Sequence, residues 1–347
     1  MNVLLSCAGR RNYLVRYFGQ ALAGKGKVHA ADCSKYAPAL YEADECFVVP
    51  PISHKDYIDV ILSICIKHDI NMLIPLNDLE LPLLASQKGR FLAAGIIPVV
   101  SSPEVVDICF DKCKTASFIK GLGLKAPNVY LNLAEFRLHL KEGLVSFPVV
   151  VKPRWGTASI GIEYPHDYEE LELAYALANK GIPRSELAEV SSFDPDCTVI
   201  IQEFAKGQEY GLDIVNELDA RYVCTFAKKK IVMRAGETDK AVTVSDIELE
   251  SLGRKIGENL RHVGNLDCDV FVSKKGIYVL EMNPRFGGGY PFSHEAGANI
   301  PAALIAWAQK EKVDRDWFKA QEGTFSAKCD RLVARKMSQG EIDEMKR

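Results

Sequence analysis

The sequence predicts an α/β and α+β protein, with an N-terminal open parallel sheet followed by a half built on antiparallel strands. Up to about residue 105, short apolar runs alternate with helical patterns, the rhythm of a parallel sheet covered on both faces. After Ala126-Pro127 strand-like runs dominate and helices only interleave. The length of 347 residues, 48% of them apolar, supplies two or three domains with cores of their own.

Taken in order, 3–5 is a strand, 12–23 a helix, 27–31 a strand, 57–68 a helix and 72–75 a strand. A helix near 80–88 and a strand at 96–100 complete this first unit. A helical pattern over 106–125 carries Asp111, Lys112 and Thr115 and stops at Gly121-Leu122-Gly123. Strands are then expected at 148–152, 198–204, 211–215, 221–226, 269–272 and 277–282, with helices near 133–141, 169–179 and 247–263. The charged, helix-prone stretch 310–347 is expected to be a terminal appendage.

Composition narrows the function classes. A net charge of −3 without a dense Lys/Arg patch argues against nucleic acid as a partner. No apolar run has the length of a membrane span. The N-terminus opens on an apolar strand instead of a basic leader, and ten cysteines are scattered singly, so a cytoplasmic protein with reduced thiols is expected. Cys109 and Cys113, four apart on the expected helix, are assigned to packing. A homodimer is the default assembly.

The most informative stretch is G-I-Y-V-L-E-M-N-P-R-F-G-G-G-Y at 276–290. A strand delivers Glu281 and Asn283 on one face, because side chains two apart point the same way. Pro284 stops it, Arg285 follows, and three glycines leave a bare backbone. Two hard oxygen ligands beside a guanidinium suit a divalent cation holding phosphate. A second strand, D-C-D-V-F-V at 267–272, could set Asp269 against Glu281 on a neighbouring antiparallel strand. Buried carboxylates that close require a metal or a proton.

Two further motifs fit the same chemistry. V-V-V-K-P-R-W-G-T-A-S-I-G at 149–161 puts Lys152 on a strand before a loop holding Gly156, Thr157, Ser159 and Gly161, a phosphate-binding arrangement distinct from a Walker A because the lysine comes first. Q-E-F-A-K-G-Q-E-Y at 202–210 sets two strands around a short turn; in isolation it reads as a surface hairpin with solvated acids, and the competing reading has its backbone meet an adenine edge and Glu209 ribose hydroxyls. In the first unit, S-C-A-G-R-R at 6–11 does not spell a dinucleotide loop. Arg10 and Arg11 stand equally as an anion grip at a helix start or as surface residues flanking a loop. Asp32 and Asn77-Asp78-Glu80 follow strands at the edge where open α/β sheets bind ligands, which makes Asp78 a candidate substrate contact. Arg234 and Lys240, in the expected loop M-R-A-G-E-T-D-K, and His294, after the glycines, are further substrate candidates, each with a structural role as the competing reading.

Together with Asp111-Lys112, these motifs in this order resemble the ATP-grasp superfamily, and in particular its carbamoyl-phosphate-synthase-like members. The resemblance implies a pre-ATP-grasp domain at 1–108, ATP-grasp subdomains at 109–195 and 196–310, and an appendage at 311–347. It implies that Lys112 and Lys152 hold ATP phosphates, with Lys152 also near the adenine, under a closing loop of Gly156, Thr157, Ser159 and Gly161. Glu203 and the Phe204 backbone would meet the adenine and Glu209 the ribose. Asp269, Glu281 and Asn283 would hold one or two Mg²⁺ ions, or Mn²⁺ in their place, and Arg285 would stabilise the transferring phosphoryl group. Members of this kind often carry Gln where Asp269 stands; Asp remains a good Mg²⁺ ligand. The implied activity is a carboxylate–amine ligase acting on a small-molecule acid and amine through an acyl phosphate. The alternatives are a carbamate- or carboxylate-phosphorylating enzyme without an amine step, and a non-catalytic nucleotide-binding regulator.

Overall fold

Five parallel strands in the order β3-β2-β1-β4-β5 form the first sheet: β1 (Asn2–Ser6), β2 (Val28–Asp32), β3 (Glu45–Val48), β4 (Ile70–Pro75) and β5 (Ile97–Pro98). The structure is a computed structural model and describes residues 1–156 and 161–335. β1 and β2 are buried along most of their length because helices pack over them; Asn12–Leu22 contributes Leu14, Val15, Phe18 and Leu22. β3 was not expected from sequence. It is a four-residue edge strand whose side chains alternate between half-buried and exposed, too short a pattern to stand out. The helix expected near 80–88 is instead a 3₁₀ turn and two short helices, Leu81–Ser86 and Lys88–Ala93.

The expected helix over 106–125 is also two, Pro103–Phe110 and Lys112–Gly121. Asp111 is extended between them and its carboxylate caps the second by accepting from the Cys113 N–H. Cys109 and Cys113 therefore lie on different helices and do not form an i,i+4 pair.

Three antiparallel strands follow, β6 (Val129–Tyr130), β7 (Val149–Pro153) and β8 (Val199–Glu203), in the order β6-β8-β7. Helices Leu133–Lys141 and Tyr168–Gly181 bury Phe136 and Leu171 against Val149, Val151 and Ile201. The sequence places β8 and the next strand around one short turn; the structure puts them in different sheets. β9 (Gln208–Asn216) starts a six-stranded sheet with β10 (Tyr222–Arg234), β11 (Glu237–Val244), β12 (Gly264–Ser273), β13 (Gly276–Asn283) and β14 (Phe325–Ala327), in the order β13-β12-β9-β10-β11-β14. Helix Ile247–Leu260 covers it, burying Leu249, Leu252 and Ile256. The terminal stretch, expected to be helix-prone, holds one short 3₁₀ turn, Arg315–Phe318, among the described residues, and then β14 pairs with β11 and extends the sheet.

Candidate functional site

A cleft opens where the three-stranded and six-stranded sheets face each other, lined from β7, β8, β9, β12 and β13. One wall is cationic. β7 carries Lys152, and helix Lys112–Gly121 presents Lys112 at its first turn. The Lys112 Nζ donates to the Gly156 carbonyl at 2.6 Å. Burial, together with the neighbouring Lys112 charge, lowers the Lys152 ammonium to about 8 against the pull of Glu281. Burial lowers Lys112 as well, while Glu281, Asp78 and Asp111 pull it back. Two desolvated lysines side by side are costly unless an anion is meant to lie there. Arg154 is occupied elsewhere: it donates to Asp111 through Nε and Nη2, at 2.7 Å from Nη2, and to Asp194, and its guanidinium lies over the Trp155 ring. These contacts brace the start of the loop after β7.

Gly156 lines the cleft at a φ of +112°, where a Cβ would also strike Leu187. Gly161, at +66°, stands outside the lining that Ile162 contributes to. Thr157 and Ser159 lie outside the described residues.

The far end suits a nucleoside. Glu203 and Phe204 line it, and Glu203 accepts from the Asn128 N–H at 3.3 Å. Glu209 lies on β9 across the sheet junction and receives the Lys230 Nζ at 2.7 Å. The opposite wall is acidic. Asp269 and Glu281 are direct cross-strand partners on β12 and β13, as the sequence anticipates. Burial pushes Asp269 up to about 7 against the pull of Lys230, and Asp267, Glu281 and Glu209 add to the rise. The Asn283 amide donates to Glu281 Oε1 at 3.4 Å. Among the described residues no three His, Cys, Asp or Glu side chains form a metal cage. Two carboxylates and an amide oxygen nonetheless fit Mg²⁺, which takes one or two protein carboxylates and completes its shell with water and substrate phosphates.

Arg285 lies beyond Glu281, buried between two domains. Its Nε and Nη2 donate to Asp78 Oδ2 at 2.9 and 2.7 Å, and its Nη1 donates to Asp267 Oδ2 at 3.2 Å. Asp78 thus becomes a tie between the first domain and the glycine loop. That loop threads between charges: a Cβ on Gly287 would overlap Asp267, one on Gly288 would press on Glu237, and one on Gly289 on Lys228.

The remaining substrate candidates separate. In the first-domain loop, the Gly9 N–H donates to Asp32 Oδ2 at 2.8 Å, and Arg11 precedes helix Asn12–Leu22. Arg10 and Arg11 face the Glu237 side of the glycine loop: burial raises Glu237, but Lys328, Arg11 and Arg10 bring it below its ordinary value. Arg234 and Lys240 are not in a loop. The chain turns tightly at Ala235-Gly236, so Arg234 ends β10 and Lys240 pairs within β11. Arg234 is bound to Asp239 and Asp330, and neither it nor Lys240 lines the cleft. His294 stacks on Tyr17 with ring centroids 3.6 Å apart and bonds the Tyr290 hydroxyl at 3.1 Å. These contacts account for it as a fastener between domains. Sequence reasoning missed Lys230 and Asp267. The available signal was the shared face of alternate strand residues, Lys228 with Lys230 and Asp267 with Asp269.

Comparison with known proteins matches a PylC-like N-terminal domain over residues 3–100 and an ATP-grasp domain over 109–289. The chain is 24% identical over 261 residues to the carbamoyl phosphate synthase large chain of Methanosphaerula palustris, covering 75% of this chain and 23% of that one. The matched part is thus about a quarter of that relative's length. A biotin carboxylase domain of the Hydrogenobacter thermophilus 2-oxoglutarate carboxylase, solved with MgADP, ADP and bicarbonate, superposes with a TM-score of 0.72 at 16% identity, over 93% of this chain and 73% of that one. An L-amino acid ligase of Bacillus licheniformis gives 0.69 at 17% identity, over 93% and 78%. The four motifs and the cleft between the two sheets are accordingly those of an ATP-grasp domain, and this chain belongs to the ATP-grasp family.

Proposed function

We propose that the chain is an ATP- and Mg²⁺-dependent ligase that activates a small-molecule carboxylate as an acyl phosphate and joins it to an amine. The observation that carries this reading is the opposition, across one cleft, of Lys112 and Lys152 to the cross-strand pair Asp269 and Glu281. Lysines on one wall suit phosphate oxygens; carboxylates on the other suit the metal that accompanies them. The MgADP bound in the similar carboxylase domain supports the same choice of ligand.

In this reading Glu203 and Phe204 hold the adenine, Glu209 the ribose, and Lys112 and Lys152 the phosphates. Asp269, Glu281 and Asn283 hold Mg²⁺, which supplies charge neutralisation as the phosphoryl group moves. A carboxylate oxygen of the acid attacks the γ-phosphorus, ADP leaves, and the amine then displaces phosphate from the acyl phosphate. Positioning and electrostatics do most of such a transfer. Arg285, fixed by Asp78 and Asp267, stands between the metal pair and the first-domain loop, where the acid and amine would meet near Arg10 and Arg11. The loop after β7, braced by Arg154, would close and keep water from the intermediate. ADP release measured with panels of acids and amines tests this. Turnover requiring both supports the ligase; release with acid alone points to phosphorylation without ligation. Glu281→Ala should release no ADP with any pair that the wild type turns over, and wild-type rates in that variant would sink the metal assignment.

A further inference from the structure

Lys230 was not among the expected site residues; it does not itself line the cleft, but it binds two acids that do, Glu209 and Asp269. Its Nζ lies 2.7 Å from Glu209 Oε1 and 2.7 Å from Asp269 Oδ1. These two acids belong to different strands, β9 and β12, and in the proposed function to different ends of the nucleotide, Glu209 at the ribose and Asp269 at the metal. The lysine starts from a third strand, β10, and must cross β9 to reach Asp269. It crosses at Gly211, the cross-strand partner of Asp269. A Cβ on Gly211 would come within 3.4 Å of the Lys230 Cε and 3.2 Å of the Lys228 Cε, so the bare backbone is the channel for the stem. Lys230 is 7% exposed, and its second neighbour on the strand, Lys228, is taken by the fully buried Asp213. One buried ammonium therefore serves both acids and is held by its own surroundings.

We infer that Lys230 is a positioning residue that couples ribose recognition to metal recognition, by holding Glu209 and Asp269 at once. The inference rests on the proposed nucleotide site. The physical reason is charge. Without Lys230, Asp269 and Glu209 each lose the ammonium that lies 2.7 Å from one of their oxygens, and the Asp269 carboxylate is free to turn. Glu209 loses the partner that fixes its rotamer in the same event. Because Asp269 Oδ1 accepts from Lys230, Oδ2 is the oxygen left to a cation.

The test is isothermal titration of the full chain with ADP and with 2′,3′-dideoxy-ADP, each with and without Mg²⁺. Two ratios are read: the preference for ADP over the dideoxy analogue, and the strengthening of ADP binding by Mg²⁺. Lys230→Met should lower both by roughly tenfold or to unity, whichever is reached first, because each depends on one charge-assisted bond. Lys230→Arg, which keeps the charge, should restore most of both. Glu209→Gln provides a route that keeps the lysine: it should weaken the ribose preference and, by releasing one anchor of Lys230, reduce the Mg²⁺ effect too. Thermal unfolding identifies any variant that has lost its fold. Should Lys230→Met alter only one ratio, or Glu209→Gln leave the Mg²⁺ effect at its wild-type value, the coupling is overturned. Wild-type protein that binds ADP under neither condition would overturn the nucleotide site and this inference with it.

Discussion

At the scale of single residues, burial sets the chemistry. Lys152 and Asp269 shift in opposite senses for the same reason, since a low-dielectric cleft disfavours charge on either kind of group. The same effect away from the cleft gives a stability prediction. His262 is fully buried; its Nε2 donates to the Ile214 carbonyl while its buried Nδ1 has no partner for a second proton, so burial favours the neutral ring against the pull of that hydrogen bond. Burial brings it from an ordinary 6.5 down to about 4. Between those values the unfolded chain binds a proton that the folded chain refuses. Stability is therefore fully present above pH 6.5 and falls as the pH drops toward 4, by roughly 3 kcal/mol in all. Urea midpoints of wild type and His262→Gln at pH 7.5 and 5 check this: the variant should lack that part of the slope. The strand placement of the candidate site residues Lys152, Glu281 and Asn283 was legible in sequence because their neighbours form a strand and then a break. Lys230 and Asp267 were not, because a lysine run and a second acid on a strand look the same whether they face water or a cleft.

At the scale of elements, close approach separates two helical glycines that helix propensity alone would treat alike. Helix Ile247–Leu260 lies on the six-stranded sheet so closely that a Cβ on Gly253 would stand 2.6 Å from the Thr225 Cγ2. Gly19, in helix Asn12–Leu22, has nothing within 4 Å of that position. Gly19→Ala should thus stabilise the protein by about 0.5–1 kcal/mol through propensity. Gly253→Ala should destabilise it by about 1–2 kcal/mol, because overpacking outweighs the same gain. Denaturant unfolding of the two variants compares them, and equal signs would contradict the packing argument. Elements with a long period were legible in sequence, helices Leu133–Lys141 and Tyr168–Gly181 among them. The edge strands β3 and β14 were not, since three or four residues of alternation carry little signal and pairing partners supply most of their stability.

At the scale of the whole molecule, the first domain is bolted to the ATP-grasp half through Arg285 and Asp78, and again through Tyr17, which bonds Glu295 and stacks on His294. Removing one partner of the buried pair strands the other. Asp78→Ala should cost about 3 kcal/mol in unfolding free energy. The double variant with Arg285→Ala should lose clearly less than the sum of the single losses; additive losses would show that the two are not coupled. No described helix is long and apolar enough to cross a membrane. By itself the sequence determined the succession of a parallel unit and an antiparallel one, and the two-residue spacing that puts Glu281 and Asn283 on one face. Those properties depend on local periodicity, and local periodicity is written along the chain. Only the tertiary structure decided that β8 and β9 part into separate sheets with the cleft between them, and that Lys230 reaches across Gly211 to join two acids. Each is fixed by strand pairing and burial that no single segment encodes.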